Sequence, residues 1–354
     1  DEIVALRTDQ AFALTTQQAV ALGTAQIAAL ETADISAIST RSMAALTTSQ
    51  IFAITTAQVQ SLATQQVVAL GVAQIAALET PQDAVALSTN SIAALLISQV
   101  VALTTTQAAS LTSDQVYALT TAQLVGMETA DFAAINTSAI AALRTLQVVA
   151  LSSADIIALR TDQAQALTTQ QAFAFTTAQV LAMQTQDFAS LSTSAIQALA
   201  TYTISVLSSA NIIALSSAQA QALATQQVFA LTTAQVAALT TDQVVALTTD
   251  QASSLKTAQL AGMTTAQIAV METDDLVALS TAQIRSLTSA QLSYLTSDQI
   301  SSLETVDIAA LTNAQVKALS TSQLSGFTDD QITALTTSQQ SALSTAQKTV
   351  LGLS

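Results

Sequence analysis

Thr232–Leu239 reads TTAQVAAL, and with small variations this eight-residue phrase runs through the whole chain of 354 residues. Its last residue is an anchor: at every eighth position from Leu6 to Leu78, and again from Leu87 to Leu351, stands Leu, Ile, Met or Phe. Three residues earlier lies a second apolar site, as at Ile27, Val59, Phe132, Ile196, Val236 and Ile308, which becomes polar only in the last two copies, at Gln340 and Lys348. The residue before the anchor is nearly always Ala, Ser or Gly, with Val206, Val270, Tyr294 and Val350 as clear exceptions. Small residues there predict close approach of a neighbouring backbone.

A three-then-five apolar spacing fits no continuous element. A helix turning ~100° per residue overshoots two turns by ~80° every eight residues, so its apolar sites would spiral over all faces. Odd spacings on a strand put successive apolar residues on opposite faces, and a calcium-type β-roll needs far more than the six glycines present. One short helix per octad remains. Thr or Ser at the second position, as at Thr8, Thr16, Thr24, Thr32 and Ser113, is expected to act as N-cap. The lone proline, Pro81, follows Thr80 and falls at the first helical position, where a missing N–H costs least. Outside the stretch near Asp83, acids keep to the first four positions, the positive end of the helix dipole. Arg7, Arg144, Arg160 and Lys256 directly follow an anchor, which places them at the C-terminal end of the preceding helix.

Such short helices do not form alone in water, so octads must stack on one another. The expected architecture is all-α: a solenoid or superhelix of very short helices, one per eight-residue repeat, in a single domain spanning 1–354. Two helices per layer at ~8–10 Å would make it on the order of 200 Å long, and more per turn would shorten it. The nine-residue stretch Glu79–Leu87 is the single register shift, read as a bulge, or else as a hinge or partner-docking site. Residues from about 336 to 354 read as a C-terminal cap. The start at Asp1, in mid-octad and without initiator Met or signal peptide, is expected of a segment cut from something longer. Copies pairing Glu31 with Asp34, Glu79 with Asp83, Glu128 with Asp131 and Gln184 with Asp187 are each followed by a copy lacking Gln, which a duplicated block of about fifty residues explains. The alternative is one marked face per superhelical turn.

The bulk properties narrow the function. A net charge of −15 with only eight scattered bases argues against nucleic acid. No apolar run approaches a membrane span. Without His or Cys the commonest catalytic base and the thiol nucleophile are missing, and capping accounts for the Ser and Thr, so no enzyme, no catalytic residue and no cofactor are expected. Calcium has candidates only in Glu31, Asp34, Glu128, Asp131, Asp274, Asp275, Glu304 and Asp307, two carboxylates per loop where a site wants six to eight oxygens. Threonine rows raise ice binding as a further alternative, which the variable first position opposes. Phe132, Phe175, Phe188 and Phe327 fall on apolar sites and are expected in the core. Phe12, Phe52, Tyr117, Phe173 and Phe229 lie between those sites, either packed between helices or forming a sticky outer stripe.

Tandem units of the form LTTAQVAAL, continuous from about Leu6 to Leu351, resemble the short-repeat regions of very large secreted bacterial surface proteins, often labelled adhesion or haem-utilisation proteins. The Thr80–Pro81 phrase is also similar to copies in armadillo-like helical proteins. The first resemblance implies an extracellular or cell-surface role and carries over no functional residue. The expectation is therefore a non-catalytic repeat rod, the stalk of a surface adhesin or the subunit of an extracellular filament, with self-association or other surface proteins as partners. A scaffold binding protein or peptide partners on a concave face is the alternative.

Overall fold

The computed structural model describes residues 6–78 and 81–353, the side chains of 81 and 82 aside. Among these residues every regular element is an α-helix of four to six residues, forty-three in all, one per octad. The helices group into two compact units, Asp1–Leu191 and Ser192–Ser354. Each is a solenoid built by the same local rules.

Those rules begin with a cap, and it sits one residue earlier than the sequence reading placed it. The helix Thr16–Ala21 is capped by Thr15, extended at φ −74° and ψ 160°, and the helix Ser113–Ala118 by Thr112. Thr8, Thr16, Thr24, Thr32 and Ser113 are first helical residues instead. Three of those helices follow Arg7, Gly23 and Glu31, whose side chains make no cap bond. The reason is glutamine. A capping box spans three residues, and the Gln at the fourth position reaches back to the backbone N–H of the first, as Gln18 Oε1 does to Thr15 at 3.0 Å and Gln235 Oε1 to Thr232 at 2.7 Å. The reciprocal Thr bond is longer, 3.3 and 3.2 Å in the same two copies. The glutamine half of the box therefore defines the start, even where the cap is Gly23 or Ala63. Pro81 opens the helix Pro81–Ala86, in keeping with the reading of that position, while Thr80 lies outside the described residues.

Nearly all helices end without a left-handed residue. The anchor Leu22 leaves the helix at φ −66° and ψ 132°, so two extended residues, anchor and cap, join one helix to the next. Among the described residues only Gly352 has positive φ, so a chain with six glycines can make so many turns.

Each helix packs on the helix three octads away: Thr16–Ala21 on Thr40–Ala45, Ser113–Ala118 on Thr137–Ala141, Thr233–Ala237 on Thr257–Gly262. A turn therefore holds more than two helices, the second of the two cases considered above for the length. Anchors and second apolar sites point inward, with Phe132, Phe175 and Phe188 fully buried. The small residue before the anchor faces the neighbouring turn. A Cβ on Gly126 would come within 2.8 Å of Ile97 Cγ2, and one on Gly262 within 2.1 Å of Thr233 Cγ2.

What joins one turn to the next is the other end of the same glutamine. Its Nε2 donates to two backbone carbonyls at the C-terminal end of the helix four octads earlier, that of the anchor and that of the second apolar residue, the latter also accepting from the anchor N–H. Gln171 Nε2 reaches Ile140 O and Leu143 O, both at 2.8 Å; Gln235 Nε2 reaches Ile204 O at 2.9 Å and Leu207 O at 2.8 Å. These side chains are buried. The sequence separations are 31 and 28 residues, between three and four octads per turn.

The register shift leaves this ladder intact. Across it the separations become 32 and 29, with Gln107 Nε2 donating to Ile75 O at 2.9 Å and Leu78 O at 2.6 Å. One extra residue in a connection is thus absorbed, as a bulge would be. Near 336–354 the pattern changes: Gln340 Nε2 turns back to Leu335 O at 3.0 Å, and Leu353 N–H closes on Lys348 O at 2.9 Å around Gly352, whose φ of +68° only glycine adopts freely.

Replacing Gln235 by Met keeps the volume and deletes both ends of the amide, taking the partner from Thr232 N–H and from Leu207 O and leaving Ile204 O with its bond from Leu207 N–H alone. The substitution is expected to cost about 2–4 kcal/mol, read as a lower denaturation midpoint and faster amide exchange confined to the adjoining turns. Gln60→Met at an exposed position is expected to change neither.

Candidate functional site

Two rows of side chains could carry more than packing: the copies whose fourth position is not Gln, and the outward residues between the two apolar sites. In the first row Asp34, Asp83, Asp131, Asp155, Asp187, Asp275 and Asp307 are all buried. A carboxylate cannot donate to carbonyls as Gln does, and most of these are met from the turn below by a different chemistry. Thr8 Oγ1 donates to Asp34 at 3.1 Å, Thr56 to Asp83 at 2.9 Å, Thr105 to Asp131 at 2.7 Å and Thr161 to Asp187 at 2.7 Å. Asp155 instead binds its own cap, accepting from Ser152 N–H at 3.0 Å and Ser152 Oγ at 2.7 Å. Asp187 Oδ2 and Asp307 Oδ1 are buried without a partner, as is Asn211 Nδ2.

The carbonyls that lose a Gln are partly served by neighbours. Where Ala139 replaces Gln, the cap Asn136 donates to Leu111 O at 2.7 Å; Ser42 Oγ donates to Leu14 O at 2.7 Å, and Gln184 Nε2 to Ile157 O at 2.8 Å. Arg144 Nη2 donates to Leu119 O at 2.7 Å, and Arg160 Nη1 to Ala133 O. These two bases do sit at C-terminal helix ends, but of helices one turn below rather than of the preceding helix. The turn-to-turn offset brings those ends closer to the guanidinium.

The calcium candidates divide by depth. Asp34, Asp131, Asp275 and Asp307 are buried, whereas Glu31, Glu128, Asp274 and Glu304 are exposed beside them, so each pair is split between core and solvent. Glu31, Glu128 and Glu304 are cap residues without a cap bond. Among the described residues no three carboxylates converge to hold an ion. An acidic concavity of about 470 Å³ is lined by Glu272, Asp274 and Asp298 with Thr273, Thr296 and Gln299.

Asp275 behind that concavity has its pKa raised, first by burial and then by the charges of Glu272 and Asp274, against the bond from Thr249. Asp162, in contrast, is held below the ordinary carboxylate value by its hydrogen bond and ion pair with Arg160, 3.0 Å away. A raised folded pKa means that the folded chain binds this proton more readily than the unfolded chain. The ionised Asp275 is therefore a cost above that pKa, relieved as pH falls through it toward the ordinary 3.8. Asp275→Gln removes the buried charge and restores the carbonyl donor. It is expected to melt higher than the natural chain at pH 7, with the difference shrinking as pH approaches 3.8.

Because each candidate calcium pair is split by depth, the melting midpoint is expected to be the same in millimolar calcium and in chelator. A rise of several degrees with calcium, lost in Asp274→Asn/Glu272→Gln, would instead establish a site at the acidic concavity.

The outward row resolves the two readings of its aromatics. Phe12, Phe52, Tyr117, Phe173 and Phe229 are all exposed, so they form outer surface and do not pack between helices. Two of them carry a cation from the next turn: Arg144 Cζ lies 5.4 Å from the Tyr117 ring centre, and Lys256 Nζ 4.2 Å from that of Phe229. Phe132, Phe175, Phe188 and Phe327 are buried, as their apolar positions required.

Two functional features escaped the reading of the sequence. The fourth position reads in the sequence as part of the helix start, yet from Gln10 onward no copy carries Glu or Lys there, while the third position varies freely. That restriction was the available signal for a buried donor. The vertical alignment of outward residues had no local signal, because it depends on the number of octads per turn.

No helix among the described residues is long and apolar enough to cross a membrane. Residues 27–64, 124–161, 212–249, 220–257, 268–305 and 300–337 match the model of a repeat family described as the ALTTAQ repeat, and together these matches cover more than half of the chain. A comparison with curated proteins gives no match.

Proposed function

We propose, from the premise that this chain belongs to the ALTTAQ repeat family, that it is a non-catalytic structural repeat region whose work is mechanical: a spacer or stalk on the outside of a bacterial cell, or the subunit of an extracellular filament. The observation that carries this reading is the allocation of side chains. In an octad such as Thr232–Leu239 the first residue caps, the fourth joins cap and neighbouring turn, the fifth and eighth fill the core, and the seventh permits close approach. Little is left over for chemistry. The fourth-position bonds also run between turns, so tension along a solenoid loads many hydrogen bonds in series with apolar contacts, as a spacer requires. Repeats held by nearest-neighbour contacts of this kind unravel piecemeal rather than all at once.

Single-molecule pulling of the full chain tests this. Stepwise extension is expected, in increments corresponding to about one to a few turns, with Gln235→Met lowering the force of some steps. Collapse of the whole chain in one event at low force would sink the mechanical reading. For location, protease added to intact producing cells is expected to degrade the repeat; full protection would place it inside.

A further inference from the structure

One column of helices in unit Ser192–Ser354 gathers carboxylates without a base. Asp250, Asp274 and Asp298 hold the third position of their octads and are exposed, and their helices, Thr249–Ser253, Thr273–Val277 and Ser297–Ser301, pack one on the next. Asp274 and Asp298 share their concavity with Glu272, and behind it lies the buried Asp275 with its bond from Thr249. None of the three helices carries Lys or Arg. Lys256 is engaged over the Phe229 ring, and Arg285 belongs to the helix Thr281–Ser286, which packs on Thr257–Gly262 and Thr305–Ala310. The ion pairs among the described residues join Arg7 to Asp9 and Arg160 to Asp162. Donors are missing here too. Gln267 Nε2 serves Val236 O and Leu239 O, and Gln283 Nε2 serves Leu255 O. In the copy between them Asp275 takes the Gln position, so Val244 O and Leu247 O receive nothing from it. Val244 O keeps its bond from Leu247 N–H at 3.2 Å. The cap residue, which serves an anchor carbonyl in the cases of Asn136 and Arg144, is here Glu272, another carboxylate. The copies opened by Glu31, Glu128 and Glu304 also pair Glu with Asp, but their third residues are Ala33, Ala130 and Val306.

We propose that the turn around Thr273–Val277 is a proton-operated weak point of its solenoid: it opens first at neutral pH, and protonation of its carboxylates closes it. Glu272, Asp274 and Asp275 on the helix itself face Asp250 from the helix on one side and Asp298 from the helix on the other, so every charge brought to this place has the same sign. Like charges side by side, one of them in the core, cost free energy only while they are ionised. Opening the turn returns all of them to water. The closed turn therefore binds protons more readily than the open one, in keeping with the raised pKa of Asp275. Its stability rises as pH falls from above that folded pKa toward the ordinary 3.8, and the contribution is complete below it. Because each turn is held by contacts with its neighbours, the opening stays local and leaves the rest of the stack closed.

This inference adds a response to pH to the proposed spacer and depends on neither its mechanics nor its location. Amide exchange of the full chain, read by mass spectrometry with each rate divided by the intrinsic rate at that pH, tests it without applied force. At pH 7 peptides covering Thr249–Ser253 and Thr273–Val277 are expected to exchange faster than those covering Thr233–Ala237 in the same unit. Near pH 3.8 they are expected to gain protection, about tenfold for each unit by which folding raises the pKa. Asp275→Gln is expected to bring the turn to the protection of its Gln-bearing neighbours at pH 7 and to remove most of the gain in acid. Glu272→Gln/Asp274→Asn/Asp298→Asn, all at exposed positions, is expected to keep a smaller gain, because Asp275 is still buried. Equal protection of the compared peptides at pH 7 would overturn the proposal. So would fast exchange that acid leaves unchanged, or a gain in acid that survives Asp275→Gln undiminished.

Discussion

A backbone carbonyl at the end of a five-residue helix has nowhere to turn within that helix, and the fold depends on how this is solved. An ordinary helix spreads four open carbonyls over many satisfied ones; here nearly every turn of chain is an end. Glutamine answers both ends at once. Its Oε1 accepts from the cap of its own helix while Nε2 donates to the end of a helix one turn below, as Gln171 does with Thr168 N–H and with Ile140 O and Leu143 O. A carboxylate can do the first task and not the second, as where Asp155 accepts from Ser152 N–H and gives up the donor. Because the donor and its acceptors lie 28 to 31 residues apart, the local cap and the tertiary stack are one interaction rather than two.

The exceptions obey the same accounting of donors. When the fourth residue is Asp, the surrounding turn changes to supply hydroxyls, Thr105 for Asp131 and Thr161 for Asp187. When it is Ala139, Asn136 at the cap takes over the orphaned Leu111 carbonyl. Where substitution is incomplete, oxygens of Asp187 and Asp307 stay buried without partners, and the fold tolerates this because each fault is confined to its own turns. The same local independence lets an extra residue near position 79 lengthen the bonded separation by one without breaking the ladder.

Mechanical role and surface chemistry then follow from different rows. The inward and inter-turn rows are committed to structure in nearly every copy, which supports a spacer. The outward row is free to vary, and it carries features that differ from copy to copy, such as the exposed Tyr117 and Phe173 or the cation held over Phe229.

The eight-residue apolar rhythm and the polar phrase between anchors were enough to determine all-helical structure, one helix per octad, the buried anchors and the acids around helix starts, because each rests on contacts within a few residues. Pro81 even held the correct cap position, since proline belongs at the first helical residue and so placed the cap at position one; the threonine pairs pulled the reading one residue late. How many helices make a turn was not legible. It is set by the size of the core that two apolar residues per octad can fill and by the reach of a glutamine side chain, both properties of the assembled stack. From that number alone come the burial of Gln, the pairing of Thr105 with Asp131, and the meeting of Arg144 with Tyr117. Residues some 27 residues apart share no local preference that a sequence could display; only the closing of the turn makes them neighbours.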